Sequence, residues 1–304
     1  MKNKSVIDVL KNIDKNEIIY YCTNPGNAGD ALIAAGTFQV FDELNLKIKF
    51  IDLKTFNAKD KIIIYAGGGN LNHIYGDAKK FIQGVHEKAK LFILLPHTIT
   101  ANEDLLGQLG NNCIIFAREK VSYEHMLKFG VNCQNFIDHD MALHLDIKLI
   151  LSRKYPNTLS LILRKLMGLI KGVDLRDEVP SLIKLVKVSI FEFIQSIFVR
   201  KSKGIFYRDD VESSGNLLPE GNADLSVIYE FGTKSRELID YTVWRLLRLI
   251  MRFNSVETDR LHISVASALL NKSVDFYPNS YFKCKAVYEY SLNKRFPNIT
   301  WNSP

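Results

Sequence analysis

The sequence predicts an α/β protein built from two parallel-sheet halves with a helical segment between them. Three observations carry this. From Glu17 to Asp138 short β-branched runs alternate with helix-length amphipathic stretches, the grammar of a parallel sheet flanked by helices. The same alternation resumes after Lys203, and the intervening residues abandon it for long apolar helical patterns. With 304 residues and 47% apolar content, the chain can bury two cores.

Taken in order, the predicted strands of the first half are Ile18–Cys22, Ile48–Leu53, Lys61–Tyr65, Leu91–Leu95, Cys113–Phe116 and Asn135–Ile137. Each runs apolar for several residues, as expected where both faces of a sheet are covered. The second half offers strands at Gly204–Tyr207, Ser255–Glu257 and Ser273–Tyr277, with helices over Ser235–Arg252 and Leu261–Asn271. This makes two Rossmann-like domains, 1–147 and 204–304, joined by 148–203, with a cleft between the domains. Ligands of open α/β sheets gather beyond the carboxyl ends of the strands, so residues just after each strand are the ones to inspect for chemistry.

The joining segment reads as two amphipathic helices. Ser160, Arg164, Gly168 and Lys171 form one narrow polar stripe, and Ser181, Lys184, Lys187, Glu192 and Gln195 another. Apolar residues, among them Leu163, Met167, Ile190, Ile197 and Phe198, fill the remaining faces, and residues 172–180 connect the two. Neither stretch is long enough to span a bilayer. A wide apolar face edged with Lys and Arg can lie in a membrane interface, or it can pack on the protein body or a second subunit.

Charge is concentrated in the same place. The chain carries +7, and residues 148–203 hold 12 Lys and Arg against 4 Asp and Glu, a net of +8. No helix-turn-helix, zinc-finger or RNP signature accompanies this excess, so nucleic acid is excluded in favour of a membrane surface or an anionic lipid carrier. Cys22, Cys113, Cys133 and Cys284 lack the spacing of a zinc or redox motif and read as buried thiols of a reducing compartment. Residues 1–15 have no apolar secretory stretch, so a cytoplasmic location is expected.

Two glycine-containing clusters follow strands. In Asn24-Pro25-Gly26-Asn27-Ala28-Gly29-Asp30 a strand hands over to a helix whose N-terminal amides favour anions, although Asp30 can satisfy that end itself as a cap. This cluster is not a dinucleotide fingerprint. Gly67-Gly68-Gly69-Asn70 follows Ile62–Tyr65 and is expected to be a turn where a ligand can approach the main chain, with Asn70 supplying an amide. A plain strand-to-helix connection is the structural alternative.

Asn27-Ala28-Gly29-Asp30 with Leu32-Ile33, then Gly67-Gly68-Gly69-Asn70, then Phe116-Ala117-Arg118-Glu119 before Ser122-Tyr123, resembles the N-terminal half of the polysaccharide pyruvyl transferase family. Thr258-Asp259-Arg260-Leu261-His262, followed by Asn279-Ser280-Tyr281-Phe282-Lys283 and Tyr288-Glu289-Tyr290-Ser291-Leu292, is similar to that family's C-terminal hallmark. The resemblance implies a GT-B-like arrangement of the two domains, the first on the acceptor side and the second on the donor side. It implies phosphoenolpyruvate as donor, no metal and no further cofactor. It further implies a pyruvate ketal on a sugar of a surface or capsular polysaccharide precursor as product, and a lipid-linked oligosaccharide is the expected acceptor. Contact of residues 159–199 with the inner face of the cytoplasmic membrane would suit such an acceptor.

Phosphoenolpyruvate carries a phosphate and a carboxylate, and guanidinium forks bind both bidentately. Arg260, just past a strand, stands where such a cation belongs. By resemblance Arg208, in Tyr207-Arg208-Asp209-Asp210, is its partner and Lys283 a third cation. Arg118 is a weaker candidate cation from the other domain, set against an ion pair with Glu119 or Glu124 on a helix, which is favoured. His262, two residues beyond Arg260, is the acid/base candidate, so Arg208, Arg260 and His262 form the catalytic set. Asn27, Gly29, Asp30, Gly67, Gly68, Gly69, Asn70, Leu261 and Lys283 form the substrate-binding set, in which Asp30 or Asn70 orients the acceptor.

Two other readings compete. Asp138-His139-Asp140 has the D-x-D form of metal-dependent glycosyltransferases, which would make the chain a GT-B-like enzyme using a nucleotide sugar. A catalytically silent, membrane-docked scaffold is the other.

Overall fold

The computed structural model describes residues 3–51, 56–175, 179–198, 203–215 and 217–302, without the side chains of 196–198. The predicted strand end at Leu53, positions 176–178 of the predicted 172–180 connection, and the Ile197 and Phe198 side chains lie outside what is described. The chain divides into two compact units that are not sequential. Unit 1 comprises residues 1–24, 36–145 and 285–294, and unit 2 comprises 25–35, 146–284 and 295–304.

In chain order the first elements are α1 (Val6–Lys11), β1 (Ile18–Cys22), α2 (Ala28–Glu43), β2 (Lys47–Phe50), β3 (Ile62–Tyr65), β4 (Gly68–Leu71) and α3 (Asp77–Val85). They are followed by β5 (Leu91–Ile99), α4 (Glu103–Gln108), β6 (Cys113–Ala117), α5 (Lys120–Phe129), β7 (Gln134–Ile137) and a 3-10 turn at Met141–His144. These strands form one sheet in unit 1, ordered β2-β1-β3-β5-β6-β7, with β4 also on β5 and every pairing parallel. All of β3 and β6 is buried, which explains their unbroken apolar sequence. Tyr65, Phe81, Phe92, Leu94, Ile115 and Met126 belong to the core cluster that includes α3 and α5 side chains.

The cluster Gly67-Gly68-Gly69-Asn70 departs from the expected turn. Gly68 to Leu71 is strand β4, which pairs with the distal part of β5 at Gly68 opposite His97 and Leu71 opposite Ile99. β5 is longer than the sequence suggested, nine residues, so it has room for β3 on its first half and β4 on its second. The chain makes this step through Gly68 at φ 144°, a conformation reserved for glycine.

Unit 2 continues with α6 (Ile147–Ser152), α7 (Thr158–Ile170), α8 (Leu182–Phe198), β8 (Lys203–Ile205), α9 (Leu225–Ile228), α10 (Arg236–Ile250) and β9 (Ser255–Thr258). Then come α11 (Leu261–Leu269), β10 (Ser273–Phe276) and α12 (Lys283–Val287), which passes into unit 1 with the π turn at Tyr288–Leu292, before β11 (Ile299–Trp301) returns to unit 2. Its sheet runs β11-β10-β9-β8 and is also parallel throughout. The architecture is thus α/β with parallel sheets, Rossmann-like in both units.

Helices occupy both stretches of the segment between the predicted domains. The buried line of α7 is Leu161, Lys165 and Gly168, so Gly168 faces inward and not along the expected polar stripe. Lys165 Nζ donates to the carbonyls of Leu175 (2.9 Å) and Val179 (3.2 Å), which satisfies the ammonium where the helix is covered. Leu161, Val179, Leu185 and Tyr241 form the local core. Among the described residues no helix is long and apolar enough to cross a membrane.

Candidate functional site

In unit 2 the carboxyl ends of β8, β9 and β10 lie side by side because the strands are parallel and in register. Arg208 follows β8, Arg260 follows β9, and Asn279 and Lys283 follow β10. Thr258 Oγ1 fixes the turn after β9 by accepting from Arg260 N (3.0 Å) and donating to the Phe206 carbonyl. Arg260 is the N-cap residue of α11, and Leu261 and His262 open that helix, with Leu261 buried.

Carboxylates gather the three cations. Arg208 grips Asp210 bidentately, Nε to Oδ1 at 2.8 Å and Nη2 to Oδ2 at 3.0 Å. Arg260 Nη2 stands 2.8 Å from the same Oδ2 and also bonds Asp224. Glu212 joins Arg208 to Lys283 through its Oε2, and Ser280 N donates to the Glu212 carbonyl. All three cationic residues are nearly buried, at 5%, 5% and 8% exposure. Among the described residues, buried polar atoms without a hydrogen-bond partner remain here: Arg260 Nε, Asp224 Oδ1 and both side-chain polar atoms of Asn279. Native interiors rarely leave such groups unmatched, and they mark positions where a polar ligand atom fits.

Proton affinities follow the same geometry. Burial alone raises Asp210, but the Arg208 hydrogen bonds and the Arg260 charge outweigh it and bring its pKa down to about 2. Glu212 is likewise lowered, burial being overcome by Lys283 and Arg208. Asp259 goes the other way. Burial raises it to about 6 although Arg208 N donates to its Oδ1 at 2.8 Å and both guanidiniums are near. Beneath it Cys284, fully buried, is pushed up to about 11 and stays a thiol.

Asn27, Gly29 and Asp30 belong to this unit as well. Asn27 caps α2, its Oδ1 accepting from Gly29 N (2.8 Å), and Asp30 returns the favour by accepting from Asn27 N (3.1 Å), a reciprocal capping box. Gly29 lies against the imidazole: a Cβ there would be 2.7 Å from His262 Nδ1. The structure therefore brings together Asn27, Gly29, Asp30, Arg208, Arg260, Leu261, His262 and Lys283 in one unit.

Gly67, Gly68, Gly69 and Asn70 belong to unit 1. There Asn24 Nδ2 donates to the Gly67 carbonyl (2.6 Å), and His97 Nε2 accepts from the backbone of Asn70 (3.1 Å) and Leu71 (3.2 Å). Asn70 Nδ2 donates to Tyr65 Oη (3.1 Å), while its Oδ1 is buried without a partner among the described residues. Arg118 is ion-paired, but not with Glu119 or Glu124. It reaches Asp140 at 2.7 Å and Thr98 at 2.8 Å, because Glu119 turns to cap α5 at Ser122. In the Asp138-His139-Asp140 triplet, Asp140 is held by Arg118, and Asp138 accepts from the backbone of Val6 and His139. Tyr290 and Ser291 contact His139 and belong with it to unit 1.

Sequence reasoning quoted Asp210, Asp259 and Asn279 within motifs without giving them a role, and missed Glu212 and Asp224. The acids directly following Arg208 and preceding Arg260 were the available signal, since a buried arginine needs a carboxylate nearby.

Two parallel α/β sheets, one with a buried arginine-carboxylate cluster and a histidine beyond its strand ends, place the chain in the class of α/β proteins whose sites lie at the carboxyl ends of parallel strands. The chain belongs to the polysaccharide pyruvyl transferase family, whose model matches residues 27–280. It is 27% identical over 312 residues to the Bacillus subtilis (strain 168) protein named "Putative pyruvyl transferase EpsO", covering 93% of this chain and 87% of that one. The crystal structure of an uncharacterized Klebsiella pneumoniae protein matches with a TM-score of 0.71 at 27% identity, over 95% of this chain and 93% of that one. The chain is accordingly a pyruvyl transferase enzyme of polysaccharide biosynthesis, with a saccharide as acceptor.

Proposed function

We propose that the enzyme transfers the enolpyruvyl unit of phosphoenolpyruvate to two hydroxyls of a sugar, forming a cyclic pyruvate ketal and releasing phosphate. The observation that carries this reading is the sharing of Asp210 by Arg208 and Arg260, with Lys283 joined to Arg208 through Glu212. Three cations held this closely match a small substrate with a phosphate and a carboxylate. The donor exchanges with Asp210 and Asp224 for the guanidinium hydrogen bonds, and Arg260 Nε and the Asn279 amide take further donor oxygens.

The chemistry runs in two attacks. A proton is delivered to the methylene carbon of phosphoenolpyruvate, and positive charge develops at C2. A sugar hydroxyl, losing its proton to a base, adds there. The C–O bond to phosphate then breaks, its electrons leave with phosphate, and the neighbouring hydroxyl closes the ketal and gives up its own proton. His262 is the base at one of these hydroxyls, and Asp259, whose proton affinity lies near neutrality, is a second group able to carry a proton. Arg208 and Arg260 stabilise the departing phosphate. Asn27, Gly29, Asp30 and Leu261 shape the histidine side, and Gly67, Gly68, Gly69 and Asn70 bind the acceptor.

The same reading includes a GT-B-like pairing of the domains 1–147 and 204–304, supported by the two separate parallel sheets. It includes a lipid-linked oligosaccharide acceptor met at the cytoplasmic face of the membrane through residues 159–199, and catalysis without metal or added cofactor. Incubation with labelled phosphoenolpyruvate and a panel of lipid-linked oligosaccharides in EDTA tests it. The expected result is released phosphate with an acceptor mass gain of one pyruvate ketal. Turnover of nucleotide sugars with phosphoenolpyruvate untouched would overturn it.

A further inference from the structure

A cavity lies elsewhere in unit 2. Residues 151–158, the α8 residue Glu192, the α10 residues Trp244, Arg245 and Arg248, and Arg252 just beyond α10 line this cavity of about 700 Å³, a volume typical of small-molecule sites. None of the residues assigned above to pyruvyl transfer lines it. Its lining carries five cations, Arg153, Lys154, Arg245, Arg248 and Arg252, against one carboxylate, Glu192.

Two of those cations are already committed. Arg153 pairs with Asp240. Arg245 holds Glu192 through Nε (2.9 Å) and Nη2 (2.8 Å), and Tyr229 Oη also donates to Glu192 (2.8 Å). Lys154, Arg248 and Arg252 are exposed and no ion pair to a carboxylate is seen for them among the described residues, Arg252 donating instead to the Glu192 carbonyl (3.4 Å). Arg248 lies over the Trp244 ring at 4.8 Å, and Tyr155 packs on the same indole at 5.2 Å. A concave surface with three uncompensated cations and an aromatic floor selects a compact polyanion such as a diphosphate.

The helices that begin or pass at this cavity supply the second observation. Thr158 starts α7 at the cavity wall, where its Oγ1 accepts from Arg245 Nη1 (3.0 Å). Away from the core, α7 exposes Leu159, Leu163, Leu166 and Ile170 along one stripe, and α8 exposes Ile183, Val186, Ile190 and Phe193 along another. Ile170 is 84% exposed and Ile183 69%. Apolar stripes of this extent rarely remain bare to water.

We infer that this cavity binds the diphosphate head of a prenyl-type lipid whose chain lies on the apolar stripes of α7 and α8. The inference deepens the acceptor side of the proposed function and rests on that reading for its use. Its test reads binding without turnover, so the two can fail separately. Calorimetric titration of the full chain compares farnesyl diphosphate, inorganic diphosphate and farnesol. The inference predicts that farnesyl diphosphate binds at least about tenfold more tightly than either fragment. A triple variant, Lys154→Gln, Arg248→Gln and Arg252→Gln, loses that affinity by about tenfold or more while binding phosphoenolpyruvate as before. Leu159→Ser with Ile170→Ser lowers farnesyl diphosphate toward the affinity of inorganic diphosphate. Equal affinity for inorganic and farnesyl diphosphate would identify a soluble anion as the ligand and overturn the inference. So would farnesyl diphosphate binding that survives the triple variant or vanishes in Arg260→Ala, which would put it in the donor site.

Discussion

Gly29 in the first turn of α2 lies so close to His262 that a β-carbon on Gly29 would stand 2.7 Å from Nδ1 and 3.2 Å from the histidine Cβ. A single hydrogen at this position is what lets the imidazole sit against the helix start. Gly29→Ala therefore forces the histidine to shift. Misplacing an acid/base group by about 1 Å costs on the order of a hundredfold in rate, and overpacking costs roughly 1–3 kcal/mol of stability. Steady-state kinetics should show kcat falling far more than the affinity for phosphoenolpyruvate.

Asp259 makes stability depend on pH in an unusual direction. Its carboxyl ionises near 3.8 in the unfolded chain and at about 6 when folded. Between those values the folded state binds more protons, so this group's contribution falls as pH rises through the window, by at most about 3 kcal/mol. Asp259→Asn keeps an acceptor for Arg208 N and removes the titration. Urea denaturation between those two pH values should show a flatter stability profile for the variant than for the parent.

Asp210 has the opposite sign. Its folded pKa of about 2 lies below the unfolded 3.8, so its contribution is present above the higher value and is lost as pH falls toward the lower. The side chain is 28% exposed, and solvent screening reduces what the shift is worth. Asp210→Asn should cost roughly 1–2 kcal/mol at neutral pH, with the difference closing in acid. Inorganic phosphate should raise the melting temperature of this variant more than that of the parent, because the guanidiniums then lack their shared carboxylate.

Gly68→Ala tests the unit 1 glycines by a different route. With φ at 144° and Asn24 Nδ2 only 2.4 Å from where a β-carbon would be, the substitution strains β4 and displaces the hydrogen bond to the Gly67 carbonyl. A loss of about 2 kcal/mol or more is expected by denaturant titration.

Much of the fold was legible because burial writes itself into sequence. β3 and β6 are apolar at every position as both faces are covered, and α10 and α11 carry long periodic runs. β4 was not legible. Three glycines signal a turn, and only the length of β5 makes a strand possible there. The three-residue β11 has too little pattern to be seen. Arg118 looked like a helical ion pair since its real partner, Asp140, lies 22 residues away on the other side of β7. At the candidate site the cations stood out after strands, whereas Asp224 and Asn279 are loop residues whose meaning comes from what surrounds them.

The central claim is that Arg208, Arg260 and Lys283 together grip phosphoenolpyruvate. The most direct measurement is its dissociation constant, by calorimetry, for the parent and for Arg208→Ala, Arg260→Ala and Lys283→Ala, each checked for folding by circular dichroism. The account predicts weakening by about tenfold to a hundredfold in each arginine variant and a smaller loss for Lys283→Ala. Folded variants that bind phosphoenolpyruvate as tightly as the parent would contradict it.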